Sequence, residues 1–82
     1  MKVIISGTAY EGMPVEIVNE MWENCFHKEN FKDSEDYMKW MIENVEKFTG
    51  VKFSIEGSSL EDRTQSFLNR LETLGLLAKI KE

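Results

Sequence analysis

Apolar residues fall along this chain in three helix-period patterns and three short runs of strand character. Residues 2–6 (KVIIS) are largely β-branched and apolar and stop at Gly7, which predicts a first strand. A loop over residues 8–13, around Gly12, is expected next. Pro14 then suits the first position of a helix, where its missing N–H would have no partner anyway. Val18, Met21, Trp22, Cys25 and Phe26 recur at spacings of three and four, so a first helix is predicted from Pro14 to about Lys28. Glu16 near its start and Lys28 near its end agree with the helix dipole.

Residues 29–33 read as a short polar connection, with Asp33 or Ser34 able to accept the orphan N–H bonds of the next helix. That second helix is predicted over Glu35–Thr49, with Gly50 placed to end it. Val51, Lys52, Phe53, Ser54 and Ile55 alternate apolar and polar, the period of a half-buried strand. Ser58 followed by Glu61 has the pattern of a capping box, opening a third helix to about Leu74. Leu60, Phe67, Leu68, Leu71 and Leu74 form its apolar face. Gly75 ends it, Leu76 is expected to pack back on Leu71, and residues 76–81 (LLAKIK) read as the last strand.

The predicted order is strand, helix, helix, strand, helix, strand, in one α+β domain spanning residues 1–82. A small three-stranded sheet with three helices packed mainly on one face is expected. The helical crossover between the last two strands suggests that they pair in parallel.

The apolar faces differ in width. With about 100° per residue, the apolar set of the third helix spans roughly 120°, an ordinary one-sided face. In the second helix Tyr37, Met38, Trp40, Met41, Ile42, Val45 and Phe48 span roughly 200°, and in the first helix Val15, Ile17, Val18, Met21, Trp22, Cys25 and Phe26 span roughly 180°. Faces this wide touch more than one layer. Either the two helices absorb each other's surplus as an αα-hairpin, or part of the Trp, Tyr and Met surface stays exposed to bind a partner. Trp22, Tyr37, Met38 and Trp40 are the candidate interaction residues, and Trp40 sits at the rim of the arc.

Composition narrows the functional classes. The 30% charged residues, single Pro and 11% aromatics describe a folding chain rather than a disordered one. At 82 residues its stability is expected to be roughly 3–5 kcal/mol. One cysteine precludes an internal disulfide, and no segment approaches the ~20 apolar residues of a membrane span, so a cytoplasmic location without membrane association is expected. The net charge of -5 lies in residues 1–50, with five Lys against ten acids, while residues 51–82 balance five against five. No Lys/Arg cluster suited to phosphate appears, which disfavours direct nucleic-acid binding.

Motifs for chemistry are weak. Gly7–Gly12 gives G-x-x-x-x-G, but Met13 and Pro14 stand where a phosphate-binding loop needs Lys and Ser or Thr, so a simple turn is the better reading. Cys25 and His27, two apart on a helix, would point about 200° from each other, and zinc needs three or four ligands. Cys25 reads as a buried filler and His27 as solvated. Glu16, Glu20 and Glu23 share the polar side of the first helix and read as a solvated face rather than an acid–base pair. No cofactor or metal is expected, nor an enzyme.

The stretches GTAYEGMPVEIVNEM (7–21) and SEDYMKWMIENV (34–45) resemble small uncharacterised proteins carried by bacterial phages and conjugative elements. The resemblance implies a small accessory or regulatory protein, with no site residue to carry over. From the spare apolar rim of the first two helices, the expected function is non-enzymatic binding to a protein partner or to a second copy of the chain. The alternative is an acidic regulator of nucleic-acid transactions that acts through a basic protein partner.

Overall fold

The computed structural model describes residues 1–25 and 27–80. Strand β1 (Lys2–Ile5) is followed by β2 (Thr8–Glu11), helix α1 (Pro14–Glu23), a 3₁₀ turn at Lys28–Asn30, α2 (Ser34–Thr49), α3 (Leu60–Thr73) and β3 (Leu77–Lys79). The three strands form one sheet in the order β2-β1-β3, with three helices in an α+β arrangement. Both pairings are antiparallel, with Val3 opposite Tyr10 and Lys79, and Ile5 opposite Thr8 and Leu77.

Residues 8–13 are thus not simply a loop: most of them form β2, the second arm of a hairpin. Ile5 pairs with Thr8 across a two-residue turn in which Ser6 (φ 51°) and Gly7 (φ 81°) both lie at positive φ. Primed two-residue turns need such a conformation because their twist matches that of the flanking strands. The sequence signal is Ser-Gly between two runs that tolerate strand geometry; the pair of glycines at 7 and 12 obscured it.

The predicted strand over 51–55 does not form. Both edges of β1 are taken by β2 and β3, and the segment pairs with neither of their outer edges. Side chains of α2 and α3 satisfy the backbone of this segment instead. Phe53 N–H donates to Glu46 Oε2 (3.2 Å), Arg70 Nη2 donates to the Lys52 carbonyl (3.1 Å), and Glu56 N–H donates to Ser66 Oγ (3.1 Å). The alternation still reports burial, since Phe53 enters the core and its ring lies 5.7 Å from that of Phe67. Without that strand the helical crossover disappears, and β3 returns from α3 antiparallel to β1 rather than parallel.

α1 stops at Glu23, a full turn before the predicted end. The chain folds back so that Trp22 Nε1 donates to the Lys28 carbonyl at 3.2 Å, while the Lys28 ammonium pairs with Glu23 and lies 5.4 Å from the Trp22 ring centroid. Phe26, read as part of this helix's apolar face, lies outside the described residues, as does Lys81 at the end of the predicted last strand.

α2 matches its prediction to within one residue. Asp33 caps it by accepting from Asp36 N–H at 2.9 Å, and Gly50 N–H closes its end on the Glu46 carbonyl at 2.8 Å. α3 is capped by Ser59, which accepts from Asp62 N–H at 3.1 Å, not by Ser58. Gly57 has to precede that cap: at φ 134°, a Cβ there would lie 2.5 Å from the Asp62 Cβ and 2.9 Å from the Arg63 nitrogen. At the other end the expected Schellman pair forms, with Leu76 N–H on the Leu71 carbonyl (2.9 Å) and Gly75 N–H on that of Glu72 (3.0 Å).

The core lies between one sheet face and the helices. Val3, Ile5 and Leu77 meet Ile17, Val18 and Met21 of α1, Tyr37, Met38 and Val45 of α2, and Phe67, Leu68 and Leu71 of α3, with Phe53 closing one side. Thr64, also buried, donates its hydroxyl to the Leu60 carbonyl at 2.7 Å, so no polar atom of it is stranded. Ile4, Ala9 and Ala78 occupy the opposite sheet face and are exposed, which places the helices on one side only.

Candidate functional site

α2 carries the surplus apolar surface. It has 16 residues, about 24 Å of helix, against ten residues and about 15 Å for α1. α1 is too short to run alongside the whole of α2. The first turns of α2 send Tyr37 and Met38 into the core, whereas Trp40 remains 41% exposed and Phe48 84% exposed.

These two aromatics border an apolar groove of about 320 Å³. One wall is α2, through Trp40, Met41, Asn44, Val45 and Phe48. The other comprises Ile5 and Ser6 at the hairpin tip, with Leu71 and Leu76 at the turn from α3 into β3. The fold builds this gap from its local rules: the tight Ser6–Gly7 turn ends β1, and the Schellman closure tucks Leu76 back beneath it. Val51, 41% exposed just beyond α2, extends the apolar surface at that end.

Trp40 is positioned from behind. Its ring lies 5.4 Å from that of Phe31 and 6.2 Å from that of Tyr37, and Phe31 meets Tyr37 edge-on at 5.5 Å. Such aromatic contacts contribute about 0.5–1.5 kcal/mol each beyond area burial, so the indole is held rather than loosely tethered. Asn44 Nδ2 donates to the Trp40 carbonyl at 2.8 Å, which occupies one of the few polar groups on the groove wall.

The groove lining holds no titratable side chain, so it has no resident group with which to move a proton. The nearest perturbed group is Tyr37, whose phenol is pushed from an ordinary 10.0 up to about 12 by burial, with further upward pushes from Cys25 and Tyr10. Among the described residues no three His, Cys, Asp or Glu side chains gather as a metal site would require. Nor is any helix of the described residues long and apolar enough to cross a membrane.

The four residues singled out in the sequence separate. Trp40 lies on the groove. Tyr37 and Met38 are core residues, 6% and 3% exposed, and present no side chain for a partner to grip. Trp22 is half-buried, tied to Lys28, and not part of the groove. The most exposed of the large apolar residues is Phe48, at 84%, which lies near the middle of the predicted apolar arc and is not among those four. A helical wheel gives azimuth, not depth along the axis, so it could not reveal that nothing covers that last turn. Cys25 is half-buried and His27 exposed, and the early end of α1 removes the helical frame in which they were compared. Glu16 accepts from Met13 N–H at 3.0 Å, closing the helix start, and Glu23 is paired with Lys28.

No protein-family model matches this chain, and neither does any curated protein or solved structure with which it was compared.

Proposed function

We propose that this chain is a non-enzymatic protein-binding domain whose contact surface is the groove along α2, with Trp40 and Phe48 as anchors. The observation that carries this reading is Phe48. A phenylalanine on the inward side of a helix, 84% exposed beside an open apolar groove, forgoes most of the stabilisation that burial would give it. Small domains do not gain stability from such a placement. Interfaces do, because aromatic anchors at the centre of a contact carry much of the binding free energy. Trp40 fits the same role, being held on one side by Phe31 and Tyr37 and presented at the groove on the other.

The charge distribution is the basis of a second reading, in which the acidic N-terminal half engages a basic protein. It is the weaker of the two. Of the acids on the outer side of α1, Glu16 already bonds the helix start and Glu23 is paired with Lys28, which leaves Glu20. Surface charges of this kind are also readily screened by salt.

The test is site-specific photo-crosslinking in cells that produce the protein. A photoreactive phenylalanine analogue at position 48 should give covalent adducts with protein. The same analogue at Lys39, which is exposed and about 180° around α2 from Phe48, should give far fewer. Equal or absent adducts at the two positions would remove the groove as a binding surface.

A further inference from the structure

We propose that the occupant of the groove is α2 of a second copy of this chain, packed antiparallel about a twofold axis near Asn44. The proposal rests on the reading of the groove as a protein-binding surface and names its partner.

A twofold contact requires a self-complementary patch, in which residue i meets residue j and j meets i. Trp40, Asn44 and Phe48 form such a patch. They are spaced four apart, lie within an arc of about 80°, and span about 12 Å along the helix with Asn44 at the centre. An antiparallel mate centred on Asn44 places Trp40 against the partner's Phe48, and the symmetry repeats that contact. Each Phe48 then enters the other copy's groove beside the indole, and both exposed rings are covered by one operation.

Charge selects the direction. The start of α2 carries the N-cap Asp33 and, in the first turn, Asp36, both exposed, each accepting one backbone N–H and keeping its charge, with the exposed Lys32 just before them; the last turn carries Lys47, with Lys52 just beyond, both exposed. Neither Lys47 nor Lys52 takes part in an ion pair among the described residues. Antiparallel packing brings the acidic end of each helix to the basic end of the other and aligns the helix dipoles favourably. Parallel packing would oppose like charges at both ends. Lys47 and Asp36 lie about 60° and 80° from Asn44 on the side away from Phe48, at the rim of the contact, with Glu43 about 100° round on that same side and Lys39 and Glu46 farther still.

The test is sedimentation equilibrium of the intact chain across a concentration series, from a few micromolar to about 1 mM. The mass should rise from 9.6 kDa toward twice that value. Phe48→Ala should weaken self-association by about 100-fold, because each dimer loses two buried rings. Circular dichroism checks that this variant is folded. Two charge variants read the orientation. Asp36→Lys alone, and Lys47→Glu with Lys52→Glu, should each be poorer at self-association than the wild type, and mixing them should restore a heterodimer. A chain that stays monomeric to about 1 mM, a dimer indifferent to Phe48→Ala, or charge variants that do not associate on mixing would each overturn the proposal. If the chain is monomeric but position 48 crosslinks in cells to an unlike protein, the second copy is excluded while the binding groove stands. If position 48 crosslinks to nothing, both fall.

Discussion

Replacing Phe48 with alanine should leave the folding stability of the monomer nearly unchanged, although Phe→Ala inside a core normally costs 3–5 kcal/mol. At 84% exposure only about a sixth of the side-chain area is withdrawn from water. Against the 1.5–3 kcal/mol of a fully buried phenylalanine, that fraction is worth about 0.3–0.5 kcal/mol. Alanine returns about 0.5 kcal/mol through its higher helix propensity, so the net change should lie within about 0.5 kcal/mol of zero. Urea unfolding followed by far-ultraviolet circular dichroism at a few micromolar measures it, at a concentration low enough that self-association contributes little. Phe67→Ala is the paired control. Phe67 is fully buried against Phe53, and its loss should cost about as much as the roughly 3–5 kcal/mol that holds the domain together. A loss above about 1.5 kcal/mol for Phe48→Ala would mean that the ring is covered by its own chain and that the groove is closed.

Other consequences of the structure are open to measurement. Tyr37 has a folded pKa raised to about 12 from an ordinary 10.0, so the unfolded chain releases the proton first as pH rises. The stabilisation is complete below pH 10 and falls away between pH 10 and 12 by about 2–3 kcal/mol, and Tyr37→Phe should abolish that component of the urea-midpoint shift. Gly57→Ala should destabilise the fold by about 2 kcal/mol or more, since the added methyl would meet Asp62 at 2.5 Å in a backbone conformation that L side chains rarely adopt; thermal unfolding reads it out. Ser6→Asn should raise stability by about 0.5 kcal/mol, because asparagine tolerates the φ of 51° better than serine in a two-residue hairpin turn; an unchanged or lower melting temperature would count against the primed turn.

How far the sequence could be read depended on the range of the interactions that decide each element. α2 was legible from end to end because its signals are local: an Asp33 cap, a 3.6-residue apolar period and Gly50. The Gly75–Leu76 closure of α3 and strand β1 were legible for the same reason. Val51–Ile55 had the right period for a strand over only five residues, and periodicity cannot say whether a sheet edge is free. Here the segment pairs with no strand of the sheet, and Phe53 keeps its buried place while the backbone turns to Glu46, Arg70 and Ser66. The parallel pairing failed with it. α1 overran in prediction because Cys25 and Phe26 continue the apolar spacing, whereas the bond from Trp22 to the Lys28 carbonyl, which fixes the fold-back, spans six residues. The 200° arc of α2 left open whether α1 would cover it or part would stay exposed; in the structure Trp40 and Phe48 stay exposed. The arc could not assign the surplus to Trp40 and Phe48 rather than to Tyr37 and Met38, because that division depends on how far each neighbouring element reaches along α2, which is a tertiary relation.

Collisional quenching of Trp40 emission by acrylamide, in a Trp22→Phe background that leaves one fluorophore, tests the open groove most directly. In dilute solution Trp40 should emit to the red and quench readily, as its 41% exposure requires, and it should become protected when the partner surface is supplied by raising the protein concentration. A blue, quencher-resistant Trp40 at a concentration where sedimentation gives the monomer mass would contradict the account, since the α2 groove would then already be filled by the chain itself.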